Sequence, residues 1–95
     1  MSKMHLTATP RNEGARRLAH WIGTECGGDL SVAERLLFVD ECQLGRLLDG
    51  SLLPGSILLT DLVPRTEGAV MPLDWYNEAV GDWYDMPADR QALAA

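Results

Sequence analysis

The chain has 95 residues, of which 46% are hydrophobic and 23% charged, and its formal net charge is −6. This length allows one small domain with a modest core, which dimerisation would help to stabilise. No apolar run is long enough to cross a membrane and no signal peptide is recognisable, so we expect no membrane partner. Taken alone, the acidic balance also argues against nucleic acid.

The charge is unevenly distributed along the chain. Residues 72–95 hold one arginine and five acidic residues, whereas residues 1–24 hold four basic residues and one acidic residue. Because most of the acidity lies in the C-terminal quarter, the N-terminal part keeps a positive balance that suits a polyanion.

The two cysteines, Cys26 and Cys42, do not have the spacing of a metal site. His5 has no second ligand near it in the sequence, which favours a solvated residue over a metal ligand. The sequence therefore predicts no metal, no cofactor, and free thiols in a reducing compartment, which indicates the cytoplasm.

Residues 1–10 lack periodicity and are typical of a flexible arm that ends at a proline. Residues 12–25 follow as the first predicted helix, with Asn12 as the N-cap and two glycines after its end. Its apolar residues recur at i, i+3, i+4 and i+7 and form one buried stripe, Ala15, Leu18, Ala19 and Ile22.

Arg16 and Arg17 lie off this stripe on the first helix. Two interpretations stay open, because the side chains could form a solvated helix face or contact the phosphates of a nucleic acid. Both interpretations place the two arginines outside the core.

Residues 29–37 form the second predicted helix. Asp29 or Ser31 caps it, and with Ser31 as the cap, Glu34 falls at the position that completes a capping box. Its inward residues are predicted to be Ala33, Leu36 and Leu37.

Residues 41–49 form the third predicted helix, which Asp40 caps at its start. Gly50 follows its end and suits the left-handed conformation that closes a last turn. Leu44, Leu47 and Leu48 anchor this helix. The remaining positions are candidates for the outward face: Glu41, Cys42, Gln43, Gly45, Arg46 and Asp49.

Residues 55–63 form the fourth predicted helix, which Pro64 stops or kinks in its last turn. The apolar spacing places three of its residues in the core, Ile57, Leu58 and Leu62. Residues 65–72 are predicted to be a loop that turns at Gly68, with Val70 packing back on the core.

Residues 73–95 are acidic and hold four of the six aromatic residues. A short helix would place five residues along one side, Leu73, Tyr76, Val80, Trp83 and Tyr84. Two roles stay open for this segment, since it could cover its own domain or form a dimer contact. The predicted organisation is an arm over 1–10, a domain over 11–72 and an extension over 73–95.

Several short motifs occur in an order typical of one family. Residues 46–50 (RLLDG) match a run of Arg, two apolar residues, a variable residue and Gly, with Pro54 at the usual distance behind it. Residues 66–70 (TEGAV) and 72–75 (PLDW) match two further segments. Together, residues 33–75 resemble the Cro and repressor family of phage helix-turn-helix proteins, the λ-repressor-like fold. Its apolar anchors correspond to Ala33, Leu37, Val39 and Leu44.

This resemblance implies an all-α fold, a small bundle of four to five helices with a λ-repressor-like helix-turn-helix. It also implies a phage-related transcription regulator, a homodimer that binds double-stranded DNA and inserts residues 41–49 into the major groove. The resemblance assigns base-edge or backbone contacts to Cys42, Gln43 and Arg46. Phosphate contacts would come from Ser51, Arg16 and Arg17.

The chain also differs from the family pattern. Phe38 stands where the turn usually has Gly, and a bulky residue with positive φ is strained, so we expect a turn of another shape. Glu34 replaces a small Ala, where a close helix contact would bury its carboxylate. The apolar pair Leu52-Leu53 stands where basic residues are usual, and Glu41 begins the third helix.

The alternative function is that of a degenerate helix-turn-helix module that binds protein instead of DNA. An acidic surface, an exposed Leu52-Leu53 pair and the aromatic tail favour it. Binding through phosphates weakens steeply with salt, whereas an apolar protein contact does not. No motif indicates an enzyme or a small-molecule substrate, because no base is spaced for Cys42 and no glycine-rich phosphate loop follows a strand.

Overall fold

Four α-helices and one 3₁₀ helix make up the part of the chain that the computed structural model describes, residues 3–85. They are α1 (Glu13–Glu25), α2 (Leu30–Leu37), α3 (Glu41–Asp49), α4 (Ser56–Arg65) and the 3₁₀ helix Pro72–Tyr76. Over these residues there is no strand, and extended backbone pairs only in an isolated antiparallel bridge between Lys3 and Asp29. The prediction of an all-helical fold is confirmed for this part of the chain.

Side chains that accept hydrogen bonds cap the first three helices. Asn12, Asp29 and Asp40 each accept from a backbone N–H of the first turn that follows, those of Ala15, Ser31 and Gln43 at 2.7–2.9 Å. The predictions for Asn12 and Asp40 are confirmed, and Asp29 is the cap of α2 instead of Ser31.

The end of α3 also follows its sequence signal. Gly50 takes the left-handed conformation with φ 81° and ψ 4°, as predicted. A Cβ atom at this position would lie 2.4 Å from Cγ of Arg11, so the glycine also allows the close approach of residue 11. Both requirements favour glycine over any other residue.

Phe38 ends α2 in the left-handed conformation, with φ 57° and ψ 39°. The expectation that a bulky residue would force a turn of another shape is therefore wrong. Arg65 on α4 offers compensation, because its guanidinium lies 4.8 Å from the centre of the Phe38 ring and its Nη1 donates to the Leu37 carbonyl at 3.0 Å. The left-handed conformation itself costs about 1–2 kcal/mol for a residue with a Cβ atom.

The core lies between the four α-helices and the start of the C-terminal segment. Its largest fully buried apolar side chains are Leu18, Ile22, Leu37, Leu44, Leu47, Leu48, Leu62 and Val70. The inward placement predicted for Val70 is confirmed, and Glu34 stays partly exposed.

Two residues predicted to be inward lie outside the core. Leu36 is 48% exposed and Ile57 is 79% exposed. On α2, Ala33 and Leu37 are one turn apart and take the buried side, so Leu36 is rotated away by roughly 100°. On α4 the side that packs is formed by Leu58, Leu59 and Leu62, which leaves the first-turn residue Ile57 in solvent.

The fourth helix runs two residues past its predicted end and includes Pro64 in its last turn. Proline is tolerated there because Pro64 is exposed and the backbone N–H groups of the next residues close the helix. The Thr66 N–H donates to the Leu62 carbonyl and the Gly68 N–H to the Val63 carbonyl. Gly68 has φ 80°, which confirms it as a turn residue.

The C-terminal segment does not form the predicted helix with one apolar side. After the 3₁₀ helix, residues 77–85 are irregular, and Tyr76, Val80 and Tyr84 are exposed. The apolar residues of the segment that become buried are its two tryptophans, Trp75 and Trp83. The segment lies on α1, where its backbone exchanges hydrogen bonds with α1 instead of within a helix of its own.

Candidate functional site

Three buried leucines determine which way α3 faces. Leu44, Leu47 and Leu48 are fully buried where α3 packs against α1 and α2. The opposite side carries Cys42 and Arg46, which are exposed, while Gln43 on the neighbouring face is half-buried. Two of the predicted contact residues thus share the outward side of one helix, with Gln43 at its edge.

An open cleft runs between α3 and the N-terminal arm. Its α3 side includes Cys42, Gly45 and Arg46, and its other side includes Lys3 and His5 from the arm. Nothing lies within 4 Å of a Cβ atom placed on Gly45, so the missing side chain leaves the floor of this cleft open. No local spacing in the sequence connects Lys3 or His5 with α3, because only the path of the folded arm brings them together.

The cleft carries charges of both signs. Lys3 and Arg46 are opposed by Glu41 and Asp49 along the same walls. Glu41 accepts a hydrogen bond from the Ser31 hydroxyl at 2.9 Å. Hydrogen bonds from Ser51 and the charge of Arg46 hold the pKa of Asp49 below its ordinary value, so this carboxylate is ionised at neutral pH.

Arg16 does not lie on an exposed face, and this part of the prediction is wrong. Its side chain is buried, with Nε and Nη2 donating to the two carboxylate oxygens of Glu13 at 2.7 and 2.8 Å. Its Nη1 donates to the Asp85 carbonyl at 3.0 Å. The C-terminal segment covers this side of α1, and the guanidinium is buried with its partners, so a phosphate cannot reach it.

Arg17 shares the same carboxylate. Its Nε donates to Glu13 Oε2 at 2.8 Å, and its side chain is only 10% exposed. The sequence does contain a signal for this cluster, since a Glu followed three and four residues later by Arg places all three side chains on one helix face. The spacing cannot reveal that another segment buries that face.

Ser51 is exposed just after the left-handed Gly50, and its N–H donates to Asp49 Oδ1 at 2.8 Å. The apolar pair that follows is less exposed than expected. Leu52 packs against the core and Leu53 is 45% exposed, so the two residues do not form the predicted apolar patch.

The most exposed apolar side chains near α3 lie in a second groove, between the α2–α3 turn and the start of α4. Phe38 and Ile57 are 77% and 79% exposed, and both line this groove with Gln43. Asp61 and Arg65 form a partly exposed ion pair at 3.8 Å along it. Sequence reasoning missed this groove because it assigned Ile57 to the core.

The two thiols have different settings. Cys26 is buried, and burial together with the charges of Glu25 and Asp29 raises its pKa, whereas Cys42 is exposed in the α3 cleft.

Between residues 3 and 85, no group of three or more His, Cys, Asp and Glu side chains is arranged to hold a metal ion. No helix in this range combines the length and apolarity needed to cross a membrane.

No protein-family model, curated protein or solved structure matches this chain. The chain offers two candidate sites of its own, the outward side of α3 with its cleft and the apolar groove beside the α2–α3 turn.

Proposed function

We propose that this chain is a sequence-specific DNA-binding transcription regulator of the helix-turn-helix type. In this proposal α2, the turn 38–40 and α3 form the motif, and α3 enters the major groove of double-stranded DNA. The protein would act as a homodimer on two half-sites one helical turn apart, in the cytoplasm. The resemblance of residues 33–75 to the Cro and repressor family suggested this function.

The observation that supports the proposal most is the division of α3 into two sides. Three leucines hold one side in the core, so the other side can present Cys42 and Arg46 without any change in the fold. The Arg46 side chain makes no hydrogen bond or salt bridge within the described residues, which leaves its donors available for a base edge. Helix α3 is nine residues long, about the length that a major groove accommodates.

The proposed roles follow from the chemistry of each side chain. Arg46 suits the O6 and N7 atoms of guanine, and Gln43 suits adenine, while Cys42 would pack against a base edge or the backbone. Ser51 is a candidate for a phosphate contact, whereas Arg17 is paired with Glu13 and only 10% exposed, which removes it from the predicted phosphate contacts. Arg16 is also removed from the predicted phosphate contacts, because it is buried. Lys3 of the arm is added to them, because it lines the same cleft as Arg46.

The test is to select binding sequences from random duplex DNA and to compare the affinities of wild type and Arg46→Ala by fluorescence anisotropy. We expect Arg46→Ala to weaken binding about 5- to 150-fold, the range for losing a bidentate contact with a base. Arg35→Ala is the matched control, because Arg35 is an exposed helix arginine outside both grooves.

Two results would count against the proposal. Equal losses in the Arg35 and Arg46 variants would indicate attraction by charge alone, without reading by α3. Failure to select any duplex at low salt would remove DNA as the partner. Salt dependence gives an independent check, because log affinity should fall with log salt by roughly 0.9 for each neutralised phosphate.

A second candidate function is protein binding through the apolar groove, most directly self-association. Phe38 and Ile57 expose large apolar side chains side by side, which is typical of an interaction surface. This contact would be insensitive to salt. We expect Ile57→Ser to shift the sedimentation of the protein towards the monomer, whereas Leu73→Ser, an equally exposed apolar site, should not. Unchanged sedimentation in both variants would remove this candidate.

A further inference from the structure

We propose that residues 77–85 act as a strap that holds the N-terminal arm, residues 3–9, in place beside α3. The strap would regulate the same site as the proposed DNA-binding function, on which this inference rests. The strap reaches the α3 site indirectly, through three successive contacts. The first joins α1 to the strap, the second joins the strap to the arm, and the third joins the arm to the cleft beside α3.

The strap is fastened to α1 at three points. The Glu13 N–H donates to the Asn77 carbonyl at 2.9 Å, and the Val80 N–H donates to Glu13 Oε1 at 2.9 Å. Arg16 Nη1 donates to the Asp85 carbonyl at 3.0 Å. Because Glu13 and Arg16 are themselves paired and buried, these contacts hold both ends and the middle of the strap on a rigid surface.

Trp83 connects the strap to the arm. Its indole N–H donates to the Thr7 carbonyl at 2.7 Å, and the side chain is 8% exposed. This hydrogen bond joins residues that are 76 positions apart in the chain. A buried indole donates where it finds a partner, so the ring fixes the position of the arm backbone at Thr7.

The arm connects Thr7 to the α3 cleft. Lys3 lies four positions before Thr7, a separation that spans at most about 14 Å when fully extended. Lys3 forms a backbone bridge with Asp29, and Lys3 and His5 line the cleft opposite Arg46. Fixing Thr7 therefore restricts where the Lys3 ammonium can lie relative to Arg46.

The strap would raise the affinity for DNA without touching it. A free arm would lose conformational entropy when Lys3 met a phosphate, whereas an arm already held beside α3 loses less. Cys42 and Arg46 remain exposed while the arm is held, so the arm flanks the outward side of α3 and does not cover it. In this scheme Trp83 is a positioning residue that acts through Lys3.

The experiment compares Trp83→Phe with wild type, using Tyr84→Phe as the control. Phe keeps an aromatic ring at position 83 but cannot donate, and Tyr84 is the neighbouring aromatic residue, 92% exposed. The first readout is the backbone ¹⁵N heteronuclear NOE without DNA. We expect it to fall at residues 3–9 in Trp83→Phe, to stay unchanged in α3, and to stay unchanged throughout Tyr84→Phe.

The second readout is affinity for the selected duplex. Losing one neutral hydrogen bond typically changes an equilibrium about fivefold, so Trp83→Phe should weaken binding by up to about fivefold. In the Lys3→Ala background the same change should cause no further loss, because the strap acts only through Lys3. If Trp83→Phe fails to fold, Val80→Pro loosens the strap at another point by deleting the N–H that Glu13 accepts.

The outcomes separate the strap from the proposed function. An arm with the same NOE values in wild type and Trp83→Phe would overturn the strap, whether or not DNA binds. If Trp83→Phe releases the arm but leaves the affinity for the duplex unchanged, the strap has no effect on the α3 site. The same conclusion follows if Trp83→Phe lowers the affinity equally in the wild-type and Lys3→Ala backgrounds. If no duplex binds the wild type, the effect of the strap on DNA binding is overturned together with the proposed function. The NOE values then decide by themselves whether the strap holds the arm.

Discussion

At the start of α1 the arginine side chains are paired with a carboxylate inside the molecule, whereas the arginine of α3 faces solvent. The Nε atoms of Arg16 and Arg17 lie 2.7 and 2.8 Å from the carboxylate oxygens of Glu13. The side chains of Glu13 and Arg16 are 4% and 3% exposed. Arg46 is exposed, and its side chain makes no hydrogen bond or salt bridge over residues 3–85. Both regions consist of arginines on short amphipathic helices, yet one contributes to the fold and the other is available for a partner.

The difference shows that a count of basic residues does not measure the charge that a protein can offer. Residues 1–24 look like the basic part of this acidic chain. Two of their four basic side chains pair with one buried carboxylate, so the accessible basic residues near α3 are Lys3, Arg11 and Arg46. Any DNA affinity must therefore depend on few positive charges and on the geometry that holds them.

The largest expected effect is on stability, and it should separate the two regions. Arg16→Ala leaves the Glu13 carboxylate buried without its bidentate partner and should destabilise the fold by about 3 kcal/mol. Arg46→Ala removes an exposed side chain and should change stability by less than about 0.5 kcal/mol. Urea denaturation of the two variants measures both values. Similar losses in the two variants would show that the regions do not differ in this way.

A pair of glycines sharpens the same comparison. A Cβ atom at Gly14 in α1 would lie 2.3 Å from the Trp75 ring, so Gly14→Ala should cost about 1–3 kcal/mol by overpacking. A Cβ atom at Gly45 in α3 meets nothing within 4 Å, so Gly45→Ala should stabilise the protein by up to about 1 kcal/mol. Thermal unfolding of both variants checks the opposite signs. A destabilised Gly45→Ala protein would mean that α3 is not open to solvent there.

The smallest effect concerns acid. Burial raises the pKa of Glu13, but the hydrogen bonds from Arg16 and the Val80 N–H and the charges of Arg16 and Arg17 outweigh it and leave the pKa below 4.5. A carboxyl group whose pKa is lower in the folded state stabilises the fold at pH values above its pKa in the unfolded state. This stabilisation is lost as the pH falls through the pKa of the folded state. The strap contacts should therefore loosen below about pH 4.5.

The strap supplies an N–H donor to this carboxylate, and the two charged partners on α1 are Arg16 and Arg17. Unfolding free energies measured between pH 6 and pH 3 should fall more steeply for wild type than for Glu13→Gln, which has no group to titrate at that position. Parallel curves for the two proteins would show that Glu13 does not account for the loss of stability in acid.

Features that depend on neighbouring residues could be predicted from the sequence. Asn12 and Asp40 cap their helices and Gly50 closes α3, because a cap needs only one side chain and the backbone within three residues. The buried side of α3 could be predicted equally well, since three leucines at helical spacing allow only one side of the helix to face the core. That arrangement leaves six outward positions, and the resemblance to the repressor family assigned contact roles to Cys42 and Arg46 among them.

Features that depend on distant segments could not be predicted in this way. Leu36 and Ile57 have helical spacing that suits a core, but which side of a short helix is buried depends on the neighbour that packs there. Arg16 looks like a solvated residue until residues 77–85 cover it. Lys3 and His5 join the α3 cleft only because the arm returns to α2 and α3.

The sequence by itself determined the N-caps of α1 and α3, the end of α3 and which side of α3 is apolar, since these properties arise from interactions within one or two helical turns. The tertiary structure alone decided which arginines remain accessible, because a guanidinium pairs with whatever carboxylate and carbonyl groups the packed segments bring to it. The path of the arm and the C-terminal segment is set by contacts between residues as far apart as Thr7 and Trp83, and no local pattern encodes such a contact.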